Sequence, residues 1–178
     1  MAIELHKGDI PADLDFGSSV AVDTETLGLN PKRDRLCVVQ LSAGDGDSHL
    51  VQFDRNGFNA PNLAALFTNP DVTKIFHFAR FDLAAIRQHL NILCSPVYCT
   101  KIASKLTRTY TDRHGLKDIC RELLRVDLSK QQQSSDWGAD SLSQEQLEYA
   151  ASDVLHLHKL KMRLDEMLER EGRTHFAN

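Results

Sequence analysis

The order of local patterns along the chain is the feature that most limits its fold. Short apolar runs rich in β-branched residues fill much of the first half, and apolar residues at helical spacing dominate the second half. The runs at 36–42 and 49–53 flank Gly44-Asp-Gly-Asp47, which predicts a hairpin and, with the run at 18–26, three antiparallel first strands. A further strand is predicted at 73–78, and helices are predicted at 61–67, 81–90, 100–106, 116–124 and 143–170. Strands followed by helices predict an α/β fold, a mixed sheet flanked by helices.

Length and composition predict one globular domain over residues 1–178. A chain of this size with 42% apolar residues buries a sufficient core without disulfides. The four cysteines form no C-x-x-C pair and no secretory leader opens the chain, so reduced thiols and a cytoplasmic location are expected. No run approaches the roughly 18 apolar residues of a membrane span.

Charge is unevenly distributed. A net charge of −4 argues against a wide surface that coats DNA without specificity, yet a cluster of metal-binding carboxylates accounts for a comparable charge, so a nuclease is not excluded. The segment from Cys99 to Gln133 contains eight Lys and Arg residues but only four Asp and Glu residues. This segment is the basic part of the chain.

Four acidic residues and a tyrosine are set among core-forming residues. Asp23 and Glu25 are two apart on a predicted strand and therefore project from one face, opposite to Thr24. Asp82 stands where a helix is expected to begin, and Tyr149 and Asp153 are four apart on a helix. Carboxylates that are half-buried among apolar residues indicate a compensating charge, most simply a bound cation.

Each cluster alone also has an ordinary structural explanation. The D-x-E pair is typical of a strand with one solvated face. Asp82 fits a helix cap, and Tyr149 with Asp153 fits an exposed hydrogen-bonded pair. The ordered set of all three is what favours a metal-dependent hydrolase.

In this order the clusters resemble a known family. V-D-T-E-T, F-H-F-A-R-F-D-L and Y-A-A-S-D-V resemble the three motifs of the DEDD 3′→5′ exonucleases, in the tyrosine-bearing branch typified by ribonuclease D. The segments D-T-E-T-L-G-L, R-D-R-L-C-V-V-Q-L-S and C-T-K-I-A-S-K-L-T-R-T-Y-T-D-R-H-G-L-K further resemble the nanoRNase C oligoribonucleases. The similarity extends over nearly the whole chain.

The resemblance implies a fold and a chemistry. It implies an RNase H-like fold, two Mg²⁺ or Mn²⁺ ions, hydrolysis of very short single-stranded RNA to mononucleotides, and a homo-oligomer, an octameric ring. Asp23, Glu25 and Asp153 would hold the water-activating metal, with Asp23 bridging to a second metal that Asp82 reaches. Tyr149 would orient the attacking water; with an ordinary pKa near 10 it is a poor base at neutral pH.

Several residues are candidates for substrate contacts. The resemblance implies that Leu29 inserts between two bases, although a core leucine after the Gly28 turn explains the same residue. Thr24 and His77 are further candidates, and buried packing is expected for Phe78. A basic helix face with the residues just beyond it suits a 5′-phosphate, although such faces are usually only solvated: Lys101, Lys105, Arg108, Tyr110, Arg113 and His114. Trp137 is expected either to pack beside the glutamine-rich loop or to contact a base.

Three other functions are also compatible with the sequence. A ribonuclease D-like enzyme could trim longer RNA, although the chain has no residues left for the helical domains that hold structured RNA in larger relatives. A DNA exonuclease is chemically allowed because none of the candidate residues reads the 2′-hydroxyl. An inactive nucleic-acid-binding module would typically have lost a carboxylate, and this chain has all four.

Overall fold

The computed structural model describes residues 2–129 and 131–177, and its centre is a six-stranded mixed sheet. The strands are β1 (Ile3–Lys7), β2 (Ser19–Thr26), β3 (Leu36–Ser42), β4 (Ser48–Gln52), β5 (Thr73–Phe76) and β6 (Val97–Cys99). Their order across the sheet is β1-β4-β3-β2-β5-β6. The β2–β3 and β3–β4 pairs are antiparallel, whereas β1, β5 and β6 each run parallel to a neighbour. The predicted α/β class with a mixed sheet is confirmed.

Two strands of this sheet are missing from the sequence prediction. The antiparallel trio comprises the second, third and fourth strands rather than the first three, because β1 precedes it and pairs with β4. At the other end, the three residues of β6 extend the sheet beyond β5. Both are short edge strands, whose strand conformation depends on ladder bonds to a neighbour rather than on a local apolar pattern.

Helices cover both faces of the sheet. They are α1 (Pro61–Thr68), α2 (Ala79–Leu90), α3 (Thr100–Thr107), α4 (Leu116–Leu124), α5 (Gln144–Leu155) and α6 (Leu157–Arg170), followed by a 3-10 turn at Thr174–Phe176. The prediction of a single long helix at 143–170 is wrong, because the helix is interrupted at His156. Its predicted capping box is confirmed: the Gln146 amide donates to Ser143 Oγ at 3.2 Å, and the Ser143 amide donates to Gln146 Oε1 at 3.0 Å. None of the helices in the described ranges has the length and apolar character of a membrane span.

The central strand β2 is buried on both faces, and this position decides where its carboxylates project. Val20 and Val22 pack with α1 and α2 in one core, whereas Ala21 packs with α3, α5 and α6 in the other. Because side chains alternate along a strand, Asp23 and Glu25 continue the Ala21 face. They therefore project beneath the helices that follow the sheet in sequence.

Candidate active site

Three carboxylates from distant parts of the chain meet at the end of β2. Asp23 and Glu25 come from the strand, and Asp153 comes from α5, which packs over this face. One carboxylate oxygen of each residue lies within 4.8 Å of those of the other two. Such a group of oxygen ligands fits a hard divalent cation. The solvated-face explanation for Asp23 and Glu25 is wrong, since both are half-buried under α5.

Asp82 reaches the same region from the opposite face of β2. Its side chain is buried, and it accepts a hydrogen bond from Thr24 Oγ1 at 2.6 Å. Helix α2 begins at Ala79 after an N-cap at Phe78 that has no side-chain capping bond, so the capping explanation for Asp82 is wrong. Thr24, a predicted substrate contact, lines the pocket but donates its hydroxyl to Asp82. Its observed role is to orient that carboxylate.

The electrostatics of the four carboxylates favour binding of a positive charge. Burial raises the pKa of Asp23 to about 7, and burial followed by the charges of Asp23 and Asp153 raises the pKa of Glu25 well above its ordinary value. Burial and the Asp23 charge likewise raise the pKa values of Asp82 and Asp153. A cation reverses this preference for protons, because it favours the ionised form of every carboxyl group around it. The donor set therefore fits divalent metal ions.

Tyr149 lies one helical turn before Asp153 on α5. The tyrosine is half-buried in the pocket wall, which makes the explanation as an exposed i, i+4 pair wrong. Burial, and then the negative charges of Asp153 and Glu25, raise the pKa of its phenol above the ordinary value. The hydroxyl therefore stays protonated at neutral pH and can donate a hydrogen bond. Trp137 packs beside it with ring centres 6.0 Å apart and is only 2% exposed, so packing rather than base contact is its observed role.

These groups line an open pocket of about 730 Å³ whose rim is partly apolar. Leu29 lies on this rim with 85% of its surface exposed, so the explanation as a core leucine is wrong. The loop that presents it is held by Asp34, which accepts from the Asn30 amide at 2.9 Å, while Thr26 Oγ1 donates to the Gly28 carbonyl at 2.6 Å. A Cβ at Gly28 would lie 2.4 Å from Asp34 Oδ2, so a larger residue there would displace the carboxylate that holds the loop.

The segment between β5 and α2 contributes two aromatic residues to the pocket. Phe78 adopts φ +66° and is 49% exposed, which makes the prediction of buried packing wrong. A non-glycine residue in this backbone region is strained, and such strain is typical of functional sites. Lys101 Nζ lies 3.9 Å from the centre of the Phe78 ring. His77 lines the pocket with Nδ1 2.9 Å from Thr100 Oγ1, and burial together with the Lys101 charge lowers its pKa to about 4.

The predicted 5′-phosphate cluster is not assembled as expected. Arg108 is 1% exposed, and its guanidinium donates to Ser104 Oγ at 2.9 Å, to the Arg113 carbonyl at 2.7 Å and to Glu122. The prediction of Arg108 as a phosphate ligand is therefore wrong, because its charge is neutralised inside the protein. Arg113 and Tyr110 are exposed outside the pocket, and the Tyr110 hydroxyl donates to Glu122. Their proposed contact with a phosphate gains no support from these positions.

Among the residues that the structure describes, the lysines and arginines that line the pocket are Lys101 and Lys117. Lys117 was not predicted, yet a signal for it exists in the sequence. It occupies the second position of α4, where a positive charge opposes the helix dipole. A lysine that is unfavourable for its own helix is a candidate for binding an anion. Phe81, in the first turn of α2, is a further lining residue that the sequence did not single out.

Replacing Arg108 with Met is expected to lower stability rather than substrate affinity. The change removes the guanidinium donor to Ser104, the Arg113 carbonyl and Glu122, and we expect a loss of about 2–3 kcal/mol in the free energy of unfolding. Denaturant unfolding measures this loss, and the control is the exposed Lys105→Met on α3, the helix that Arg108 directly follows. If stability is unchanged and the KM for 5′-phosphorylated substrate rises, Arg108 would instead be supported as a phosphate ligand.

Comparison with known proteins agrees with this geometry. A family model described as 3′-5′ exonuclease matches residues 9–169. The solved structure of Brucella melitensis NrnC with bound Mg²⁺ is similar, with 58% sequence identity and a TM-score of 0.95 over 99% of this chain and 87% of that chain. The structure of the same protein bound to pGG shows 60% identity and a TM-score of 0.96, over 99% of this chain and 86% of that chain.

Similarity to longer proteins covers part of their length. Ribonuclease D from Gluconacetobacter diazotrophicus is 34% identical over 154 residues, which is 86% of this chain and 39% of that protein. The chain thus spans about two fifths of the curated ribonuclease D that it matches. Since the family model covers most of the chain and the NrnC structures superpose over nearly all of it, the chain belongs to the 3′-5′ exonuclease family, in the branch of ribonuclease D and NrnC.

Proposed function

We propose that this protein is a metal-dependent 3′-5′ exoribonuclease that hydrolyses very short RNA, down to dinucleotides, to nucleoside 5′-monophosphates. The observation that carries the proposal is the convergence of Asp23, Glu25 and Asp153 within 4.8 Å at the floor of an open pocket. Asp82 and Tyr149 complete the set of groups that this chemistry needs. Residues 1–178 would form a single exonuclease domain.

Two divalent cations, Mg²⁺ or Mn²⁺, when bound, activate water, stabilise the phosphorane-like transition state and neutralise the leaving oxygen. Asp23, Glu25 and Asp153 would hold the first, because their oxygens converge on one point. Asp82 with Asp23 would hold the second, either directly or through water. The Mg²⁺ bound in the similar Brucella melitensis NrnC supports Mg²⁺ as the cation.

Tyr149 orients the attacking water in this proposal. Its phenol has a pKa raised by burial and by neighbouring carboxylates, so it keeps its proton at neutral pH. A protonated phenol donates a hydrogen bond and positions an oxygen, whereas it removes no proton from water. The carboxylates around Tyr149 are then the groups that remain to accept a proton from that water.

The rim of the pocket suits a substrate with two bases. Leu29 presents an exposed apolar side chain, and Phe78 presents an exposed ring next to Lys101. Base stacking on an aromatic side chain contributes about 1–3 kcal/mol without regard to sequence. Lys101 and Lys117 line the pocket and could pair with phosphate. NrnC bound to pGG supports a short substrate for this chain as well.

A direct comparison of substrates tests the proposal. Turnover is measured on a dinucleotide, on a single-stranded RNA of about 20 nucleotides and on an RNA duplex, each with Mg²⁺ and with Mn²⁺. The proposal predicts the highest kcat/KM for the dinucleotide. A preference for the long RNA would favour a ribonuclease D-like trimming enzyme, and no turnover of any substrate would favour a binding module. Assembly into an octameric ring and a cytoplasmic location stay predictions.

Replacing Leu29 with Ala is expected to weaken dinucleotide binding selectively. Removing an apolar side chain that contacts two bases costs about 1.4 kcal/mol, which corresponds to about a tenfold rise in KM. The longer RNA gains affinity from additional phosphates and is expected to change less. Leu93→Ala, which removes a similarly exposed leucine outside the pocket, is the control. Equal KM values for Leu29→Ala and the unchanged chain would remove Leu29 from substrate recognition.

A further inference from the structure

A second group of metal-ligand side chains converges at the edge of the sheet, outside the active-site pocket. Glu4 and His6 lie on β1, and His49 lies on β4. The parallel pairing of these strands sets Glu4 opposite His49, and Glu4 and His6 share one face because they are two apart. None of the three lines the active-site pocket.

The three ligand atoms form a triangle of the size that a tetrahedral metal ion requires. His6 Nε2 lies 3.1 Å from His49 Nδ1, and Glu4 Oε2 lies 3.7 Å from His49 Nδ1 and 4.0 Å from His6 Nε2. Zinc–nitrogen and zinc–oxygen bonds of about 2.0–2.2 Å in tetrahedral geometry place neighbouring ligand atoms about 3.3–3.5 Å apart. The Glu4 side chain is 60% exposed, so a small rotation can bring Oε2 the few tenths of an ångström closer to the histidine nitrogens that tetrahedral geometry requires.

The packing around the two histidines holds this geometry. Their rings meet edge to edge through the facing nitrogens, with centres 5.4 Å apart and 16° between their planes, and both side chains are mostly shielded from solvent. The edge of the buried Phe16 ring packs against His49 with centres 5.7 Å apart. Because the facing nitrogens point along one line, each ring would have to tilt by about 35° to direct both nitrogens at one tetrahedral ion.

A hydrogen bond between the histidines explains the short distance between His6 and His49, but it does not explain the two distances from Glu4 to the histidines. One ring nitrogen donates to the other at 3.1 Å, which accounts for the approach of His6 to His49. Glu4 Oε2 stays beyond hydrogen-bond distance of both nitrogens, yet faces both of them. A cation at the centre would use all three atoms. The proton that the facing nitrogens share would then move to His6 Nδ1 or His49 Nε2, a change of tautomer with little cost.

We propose that Glu4, His6 and His49 form a binding site for a first-row transition ion of the Zn²⁺ class, with a fourth position open to water. Two imidazoles and one carboxylate suit zinc, whereas Mg²⁺ prefers oxygen ligands. The ion would link the edge strand β1 to β4, its only neighbour in the sheet. It is separate from the carboxylate site and does not depend on the proposed exonuclease activity.

Metal titration of the chelator-treated protein tests the site. Saturating Mg²⁺ first fills the carboxylate cluster, and Zn²⁺ is then added while heat of binding and thermal midpoint are recorded. We expect one zinc equivalent per chain and a raised midpoint, both of which persist in Asp153→Asn. Co²⁺ in place of Zn²⁺ is expected to give visible absorption typical of a four- or five-coordinate site with imidazole ligands.

Variants separate this site from weak surface binding. His49→Ala is expected to lower the zinc affinity at least about 100-fold, because losing a direct ligand exceeds the 10- to 100-fold effect of losing an outer-shell partner. The exposed Glu4→Gln leaves the histidine pair intact and keeps a neutral amide oxygen in place of the carboxylate, so it is expected to lower the affinity by about tenfold or more. His175→Ala, at an exposed histidine far along the chain, is the control. Zinc affinity that is unchanged in both Glu4→Gln and His49→Ala, or no zinc binding under saturating Mg²⁺, overturns the proposal.

Discussion

Replacing Asp153 with Asn is expected to abolish hydrolysis while the protein stays folded. Asp153 is one of the three carboxylates whose oxygens lie within 4.8 Å of one another, and an amide supplies no negative charge for a cation. We expect kcat to fall at least about 1,000-fold, which corresponds to about 4 kcal/mol of lost transition-state stabilisation. Steady-state turnover of a dinucleotide measures this loss.

The matched control is Glu148→Gln, the same chemical change at an exposed position of the same helix. It is expected to keep full activity. Asp153→Asn is also expected to be at least as stable as the unchanged chain without metal, because it removes one of several mutually repelling buried carboxylates. If the variant unfolds, or if it turns over at a normal rate, the assignment of Asp153 to the metal site is wrong.

The same carboxylates predict how metal stabilisation depends on pH. A carboxyl group whose pKa is raised in the folded state binds protons more strongly in that state, so folding stability falls as pH rises through the raised value. With the pKa of Asp23 raised from 3.8 to about 7, this group is therefore expected to cost the metal-free protein stability as pH rises from about 4 to about 7. Bound Mg²⁺ or Mn²⁺ offsets this loss, so its stabilising effect grows with pH. In Asp153→Asn this growth is expected to be small.

Replacing Tyr149 with Phe is expected to lower turnover strongly and to leave substrate binding nearly intact. The change removes only the hydroxyl, and the ring keeps its packing against Trp137. Positioning of a reacting group by a protein hydrogen bond contributes about 100-fold or more, so we expect kcat to fall about 100-fold with little change in KM. Single-turnover kinetics at saturating metal measure the chemical step.

Tyr110→Phe is the control for the tyrosine, since its hydroxyl is exposed and donates to Glu122 outside the pocket. It is expected to keep normal turnover. The pH profile gives a second measurement. A water-orienting phenol with a strongly raised pKa adds no limb to the profile near neutral pH, whereas a phenol that acts as a base makes kcat rise with pH up to its own pKa. Near-normal turnover of Tyr149→Phe would remove Tyr149 from the mechanism.

The parts of the fold that the sequence predicted are those with a strong local pattern. The central strands β2, β3 and β4 carry β-branched runs, and α4 was predicted at its observed bounds. The edge strands β1 and β6 were not predicted. Each has only three to five residues, which is too few for a recognisable local pattern, and their strand conformation depends on pairing with a neighbouring strand. The break at His156 was missed because both helices share one continuous periodicity.

The sequence by itself determined which chemical groups this protein brings to its site. Asp23, Glu25, Asp82, Tyr149 and Asp153 were identified from their spacing and order, since spacing on a strand or helix decides which side chains share a face.

The tertiary structure alone decided which groups are available to a substrate. It buried Arg108 in internal hydrogen bonds, exposed Leu29 and Phe78 at the rim, and placed Lys117 in the pocket. It also brought Glu4 and His6 next to His49, more than 40 residues away in sequence. Exposure and the convergence of distant residues depend on how whole elements pack, and no local pattern of residues encodes that packing.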